Sequence, residues 1–153
     1  MSLPSLITLS SEAEYKQYFV DNYCHKSPLV TFDGLSVMFY PDMFEHAFYR
    51  RTKAAWKAPK DRLDNDRCTR LPWIKPILED ETIELKQGYD KARHIYDNKS
   101  RVAFLPSQNY LVVIRNAGTS WRFVTAYIVD NQETATQLPP AKAGGLMRPK
   151  GRR

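Results

Sequence analysis

A histidine followed one helical turn later by an arginine is the pair of residues in this chain best suited to chemistry. His46 and Arg50 lie at positions i and i+4 of a segment with helical periodicity, which predicts that they share one helical face with Tyr49 and Lys53. An imidazole, with an ordinary pKa of about 6.5, can accept a proton from a ribose 2′-OH or return one to a leaving oxygen. A guanidinium binds phosphate through its planar fork. This spacing therefore predicts the handling of a phosphodiester, with Arg50 and Lys53 as substrate-binding residues.

His46 also has a simpler interpretation, which composition alone favours. Phe44, Phe48 and Tyr49 surround it in the sequence, and a histidine among aromatic residues is commonly a member of the core. His25 and His94 have weaker surroundings and are expected to be structural.

A second basic pair follows, and it also has two interpretations. Arg67 and Arg70 are three residues apart, so on a helix they can clamp a phosphate together, or they can pair with Asp64 and Asp66. Both alternatives stay open. Trp73, three residues further on, is more often a core anchor than a platform on which a base stacks.

Hydroxyl groups on the last predicted strand are the remaining candidates. Strict alternation places Phe123, Thr125 and Tyr127 on one face, and it predicts that the opposite, apolar face packs on the helices. That apolar face consists of Val124, Ala126 and Ile128. The hydroxyls of Thr125 and Tyr127 can donate to a phosphate oxygen, or the strand is simply amphipathic and solvated.

The basic residues are concentrated in two segments. The net charge is +6, and residues 50–75 contain nine Lys and Arg against three Asp, whereas residues 131–153 contain five against one Glu. Two basic segments on an otherwise acidic chain favour a polyanionic partner, although such a run is more often a solvated surface.

Helical signals dominate the first half of the chain. Ser10 and Ser11 are candidate caps for a helix from Glu12 to about Tyr23. Asp33-Gly34 between two β-rich runs predicts a hairpin over residues 29–40. Helices are expected from Pro41 to about Ala55 and over about 61–78, the latter broken or kinked by Pro72 and Pro76.

Strand signals dominate the second half. Their short connections favour an antiparallel meander, so the fold class is α+β, with N-terminal helices and a small β-hairpin followed by a four-stranded antiparallel sheet. A single domain over residues 1–130 and a flexible basic tail over 131–153 are predicted. The candidate strands are 82–86, 93–96, 101–105, 110–115 and 121–129.

Several functional classes are not expected. The chain has no apolar run of about 20 residues and no signal-peptide pattern, so we expect a cytoplasmic protein with no membrane partner. Cys24 and Cys68 match no metal motif, and no phosphate-binding glycine loop or HExxH is present, so neither a metal nor another cofactor is expected.

Five short motifs, in this order, resemble phage-associated nucleases of the barnase–EndoU–colicin–RelE (BECR) group. The resemblance covers about residues 6–130. The motifs are Asp33-Gly34 before a strand, Phe44-Glu45-His46-Ala47-Phe48-Tyr49, Arg67-x-x-Arg70-x-x-Trp73-Ile74, Tyr110-Leu111-Val112-Val113-Ile114 and Phe123-x-Thr125-Ala126-Tyr127.

The resemblance implies a metal-independent endoribonuclease, often a toxin, whose RNA substrate is tRNA in several members. Carried over to this chain, it implies His46 as general acid or base, Arg67 or Arg70 as phosphate binder, and Thr125 and Tyr127 as transition-state or positioning donors. It further implies a setting in the bacterial host cell, in a phage or in a target cell, and an acidic immunity or antitoxin partner. His94 is a doubtful second histidine of the EndoU type.

The alternative function is a non-catalytic phage protein. Such a protein would bind nucleic acid or another protein through residues 50–75 and the tail, and its nucleic-acid binding would depend on salt without any cleavage.

Overall fold

The computed structural model describes residues 3–24, 27–51, 60–90, 93–129 and 139, and its fold is α+β. The α-helices of these ranges are α1 (Glu12–Phe19), α2 (Met43–Phe48), α3 (Asn65–Cys68) and α4 (Ile74–Glu79). The strands are β1 (Leu29–Val30), β2 (Ser36–Met38), β3 (Tyr49–Arg51), β4 (Lys60–Leu63), β5 (Leu85–Asp90), β6 (Ile95–Leu105), β7 (Tyr110–Asn116) and β8 (Trp121–Ile128).

Helix α1 begins where the serines predict. The Ser11 side chain accepts a hydrogen bond from the backbone N–H of Glu14, and the Glu14 carboxylate accepts one from the backbone N–H of Ser10. The Ser11 oxygen thus satisfies a first-turn N–H that the helix itself leaves unpaired, and the Glu14 carboxylate fixes the residue before the cap. Tyr15 and Phe19 are buried, and a π-helical turn, Val20–Cys24, continues the segment.

The predicted hairpin is confirmed as β1 and β2. Gly34 has a φ of +93°, which suits a residue without a Cβ atom. The Thr31 hydroxyl stabilises the turn because it accepts from the backbone N–H of Leu35 and donates to the Asp33 carboxylate.

The sheet differs from the predicted four-stranded antiparallel one. Strands β5 to β8 do form an antiparallel meander, but β2 pairs in parallel with β8, giving a six-stranded mixed sheet in the order β1-β2-β8-β7-β6-β5. The parallel contact joins Val37 to Trp121, and both side chains are fully buried. Their pairing depends on shared burial rather than on a local turn, which is why periodicity alone did not predict it.

The two predicted helices after Pro41 are present in part, but they are shorter and more broken than predicted. Helix α2 ends at Phe48, because Tyr49 is extended and starts β3, which pairs antiparallel with β4; residues 52–59 lie outside the described ranges. The predicted helix over 61–78 is instead the end of β4, then α3, a 3-10 turn (Leu71–Trp73) and α4. Pro72 and Pro76 occupy starting turns, where a missing N–H costs no hydrogen bond.

An aromatic core lies between the helices and one face of the sheet. Phe19 is fully buried, and its ring centroid lies 5.6–6.1 Å from those of four other phenylalanines. These are Phe39, Phe44, Phe48 and Phe123. A smaller cluster of Val102, Phe104 and Leu111 is buried on the opposite face. The end of α2 is held against β8 by the stacking of the Phe48 ring on that of Phe123.

The predicted tail lies almost entirely outside the described residues. Its one described residue, Pro139, accepts a hydrogen bond of 2.7 Å from the backbone N–H of Gln87 on β5. The flexible basic tail and the boundary at residue 130 therefore stay predictions. No helix in the described ranges is long and apolar enough to cross a membrane.

Candidate active site

A single backbone carbonyl, that of Ala47, joins three elements of the fold. Ala47 is in the last turn of α2, where a helix leaves its carbonyls without internal partners. Arg67 of α3 donates to this oxygen from Nη1 at 2.9 Å, and Thr125 of β8 donates to it from Oγ1 at 3.3 Å. The carbonyl thus brings α3 and β8 to the end of α2.

The Arg67 guanidinium is oriented by two further contacts. Its Nε lies 3.3 Å from Oδ2 of Asp64, and its Cζ lies 4.9 Å from the centroid of the Tyr127 ring. The Asp64 carboxylate also caps α3 by accepting from the backbone N–H of Arg67. Of the two interpretations of Arg67, the ion pair with Asp64 is therefore present, and it holds the guanidinium beside β8.

Thr125 and Tyr127 reach this position because of an irregularity in β8. The register shifts so that Val113 opposes Thr125 whereas Ile114 opposes Phe123, and Val124 is the extra residue of the bulge. Phe123 and Ala126 are consequently buried in the core, and Thr125 and Tyr127 are half-buried. The prediction that Phe123 shares a face with Thr125, opposite an apolar face, is wrong because it assumed unbroken alternation.

His46 is exposed on α2, immediately before Ala47. Phe44, Ala47 and Phe48 take the buried positions of this short helix, so the core interpretation of His46 is wrong. The predicted helical pairing of His46 with Arg50 is also wrong, because α2 has ended before Arg50, which lies on β3. Lys53 lies outside the described residues.

Arg70 is directed away from the Ala47 carbonyl. Its Nη1 donates to the Asp66 backbone carbonyl at 2.8 Å, and its Cζ lies 5.2 Å from the Trp73 ring centroid. Its Nε is buried and has no hydrogen-bond partner in the described part of the chain. Arg67 and Arg70 therefore do not form one clamp, although they lie on successive turns.

Trp73 is a core anchor. Its side chain belongs to the main core with only 7% of the residue exposed, its indole N–H donates to the Pro4 carbonyl at 2.8 Å, and its ring meets that of Tyr110 edge-on. The alternative, a substrate-binding platform on which a base stacks, is disfavoured because the Arg70 guanidinium lies over the Trp73 ring.

Two tyrosines, Tyr110 and Tyr49, have a raised pKa, the first because it is buried and the second because it is hydrogen-bonded to a carboxylate. Burial raises the pKa of Tyr110, against the opposing influence of Arg70 and Arg67, and within the described residues its hydroxyl has no hydrogen-bond partner. The hydrogen bond from Tyr49 to the Glu12 carboxylate raises the pKa of Tyr49 to about 12. Both phenols are therefore neutral near pH 7.

Sequence reasoning missed three contributors to this region. Asp64 was considered only as an ion-pair partner, although Asp64-x-x-Arg67 is also the pattern of an N-cap, which places its carboxylate at the start of α3. The Ala47 carbonyl carries no sequence signal. Arg62 was counted in the basic segment without a role, yet it lines a cavity of about 440 Å³ with Arg50.

Neither a metal-binding cluster among the described residues nor a match to a known protein was found. The described residues contain no group of three or more His, Cys, Asp or Glu that could hold a metal ion. No protein-family model matches the chain, and no curated protein or solved structure is significantly similar to it. The resemblance to BECR nucleases therefore rests on the short motifs alone.

Proposed function

We propose that this protein is a metal-independent endoribonuclease that cleaves RNA by attack of a 2′-OH on the adjacent phosphorus, which leaves a 2′,3′-cyclic phosphate. The observation that carries the proposal is the gathering of Arg67, Thr125 and Tyr127 around the carbonyl of Ala47, the residue next to an exposed histidine. Residues of α2, α3 and β8 thus meet at the Ala47 carbonyl.

In this mechanism His46 moves the protons. An exposed imidazole can reach a bound ribose, accept the 2′-OH proton and return a proton to the leaving 5′-oxygen. His46 precedes Ala47 on α2, and the Ala47 carbonyl accepts a hydrogen bond from Arg67, so the acid–base group and the phosphate-binding group are linked through one helix.

Arg67 stabilises the charge that develops on the phosphorane. A guanidinium held by Asp64, Ala47 and Tyr127 needs little reorganisation when that charge appears, and one such donor is typically worth about 2.7–4 kcal/mol in the transition state. Arg67 rather than Arg70 is the phosphate binder in this proposal, because the Nε of Arg70 is buried and its Nη1 donates to the Asp66 carbonyl.

The two hydroxyls have different roles. Thr125 already donates its one proton to Ala47, so it positions the carbonyl and, through it, Arg67. Tyr127 supplies the ring beneath Arg67, and its hydroxyl is the donor left for a phosphate oxygen.

The more detailed aspects of this proposal come from the resemblance. They are the BECR arrangement, a phage or toxin setting in a bacterial host or target cell, tRNA as the RNA substrate, and an acidic immunity or antitoxin protein as partner. The positive net charge of the chain favours such partners, since both are acidic.

Replacing the histidine tests the proposal directly. We expect His46→Ala to abolish RNA cleavage measured in EDTA and to leave the thermal unfolding midpoint close to that of wild type, because the side chain is exposed. Gel analysis of end-labelled RNA would show the loss and identify the 2′,3′-cyclic phosphate in the wild-type product.

The matched control is the other described histidine. His94 is exposed in the β5–β6 turn with a φ of 55°, a conformation that asparagine tolerates, so His94→Asn should keep full cleavage activity. Full activity in His46→Ala would refute the assignment of the general acid or base.

The second candidate is a nucleic-acid-binding protein without catalysis. It is favoured by the two exposed arginines, Arg50 and Arg62, that oppose each other on β3 and β4. This candidate predicts salt-dependent binding of RNA with no cleavage by the wild-type protein under any of the conditions above.

A further inference from the structure

Two arginines are placed opposite each other on the small two-stranded sheet. Arg50 of β3 and Arg62 of β4 are direct antiparallel partners, and both are exposed. The adjacent pair, Tyr49 and Leu63, packs against the main core, so alternation directs the two arginines away from it. Like charges directly opposite in a sheet are destabilising.

No ion pair found among the described residues relieves this repulsion. Neither Arg50 nor Arg62 takes part in any of the ion pairs found within the described ranges. Asp64, two residues after Arg62, is already engaged by the guanidinium and the backbone N–H of Arg67. An anion bound between the arginines would remove the repulsion and gain two charge-assisted hydrogen-bonding partners.

The arginines line a cavity that can hold such an anion. Its volume is about 440 Å³, and Leu63, Asp64, Asn65 and Asp66 complete its wall. That volume lies within the range of ordinary ligand sites, about 300–1,000 Å³. Because Asp64 forms one wall and also binds Arg67, the cavity adjoins the candidate active site.

We infer that this cavity is a second phosphate subsite, which binds a backbone phosphodiester of the same nucleic acid strand next to the one held at Arg67. The inference rests on the proposed ribonuclease function. It concerns a phosphodiester of the substrate that is bound by the protein but is not the one that is cleaved. A phosphodiester has one negative charge, and the two guanidinium groups can each donate to its non-bridging oxygens.

Binding of a strand that cannot be cleaved by 2′-OH attack tests the subsite separately from catalysis. The probe is a fluorescein-labelled 2′-deoxy oligonucleotide of about six nucleotides, within the range of typical single-strand site sizes. Fluorescence anisotropy would give its affinity over a series of salt concentrations. We expect Arg50→Ala and Arg62→Ala each to lower the affinity about tenfold, as the loss of a charged hydrogen bond does. Each should also reduce the magnitude of the salt slope by about 0.7.

The meander contains a matched control. Arg115 and Arg122 are also direct antiparallel partners and also exposed, but neither lines this cavity. Arg122→Ala removes the same charge from an equivalent cross-strand pair and should leave affinity and salt slope close to wild type. Thermal unfolding without the oligonucleotide should show no loss of stability in Arg50→Ala or Arg62→Ala, because the repulsion is relieved.

The outcomes separate this inference from the proposed function. If Arg50→Ala and Arg62→Ala bind the oligonucleotide as Arg122→Ala does, the subsite is wrong, even where His46→Ala has shown that the protein cleaves RNA. If those two variants lose affinity while wild-type protein cleaves no RNA, the phosphate site stands and the ribonuclease proposal falls.

Discussion

At the scale of single residues, the site depends on one acceptor shared by two donors. The Ala47 oxygen accepts from Arg67 and from Thr125, which are 20 and 78 residues away in sequence. A carbonyl oxygen has two lone pairs, so both bonds can be satisfied together. Removing one donor leaves the other in place, which makes the contribution of each measurable.

Thr125→Val isolates the hydroxyl with little change of shape. We expect the free energy of unfolding to fall by about 1 kcal/mol, the usual net value of a hydrogen bond. RNA cleavage should also slow, because Arg67 loses the partner that fixes its acceptor. Urea unfolding and single-turnover kinetics would measure the two effects.

Thr119→Val is the control for that substitution. Thr119 is exposed in the turn between β7 and β8, so its replacement should alter neither stability nor cleavage appreciably. Equal behaviour of the two valine variants would show that the Thr125 hydroxyl does not position the site.

At the scale of elements, the close approach of β5 to β6 is sensitive to a single methyl group. A Cβ atom added at Gly88 would lie 2.6 Å from the Cβ atom of Ser100, a distance that requires the strands to move. The register also shifts between Gln87 and Gly88, so this glycine lies at an irregularity of the pair.

Gly88→Ala should therefore destabilise the protein by about 1–3 kcal/mol, the usual cost of forcing extra volume into a packed site. Adding Ser100→Gly removes the atom that the new methyl group meets, so the double variant should recover part of that loss. Denaturant unfolding of the two single variants and the double variant gives the coupling energy. Additive effects would mean that the contact with Ser100 is not the cause.

At the scale of the whole molecule, several thiols and phenols in or against the core keep their protons to a higher pH in the folded protein than in the unfolded chain. Burial raises the pKa of Cys68 from 9.0 to about 12 and that of Cys24 to about 11, and it also raises the pKa of Tyr23 and Tyr110. The unfolded chain therefore loses these protons at lower pH than the folded one. The stability that they contribute is complete below about pH 9 and is lost as the pH rises towards the folded values.

We expect the free energy of unfolding, measured in a reducing buffer, to decline steadily between pH 9 and pH 12. A single group contributes at most about 1.4 kcal/mol per pH unit. Cys68→Ala should lower stability at pH 7 by leaving a small cavity, and it should make the decline with pH less steep. An unchanged slope in that variant would show that the Cys68 thiol does not titrate at higher pH in the folded protein.

The sequence by itself determined the parts of this fold that depend on near neighbours. The α1 cap at Ser11, the turn at Gly34 and the last two meander strands were predictable because cap side chains, turn residues and alternation act within a few residues. The predicted strand over 82–86 is wrong in its bounds, since β5 begins at Leu85, and the predicted strands over 93–96 and 101–105 are parts of the single strand β6. The choice of His46, Arg67, Thr125 and Tyr127 as candidates also came from residue types and the resemblance. Their catalytic roles stay predictions.

Only the tertiary structure decided where Arg67, Thr125 and Tyr127 meet. The end of α2 at Phe48, the pairing of β2 with β8 and the bulge at Val124 all depend on partners distant in the chain. Periodicity describes which face of an element is apolar, but not which other element buries it or where the register shifts. For this reason the contacts of Arg67 and Thr125 with the Ala47 carbonyl, which define the candidate site, could not be predicted from the sequence.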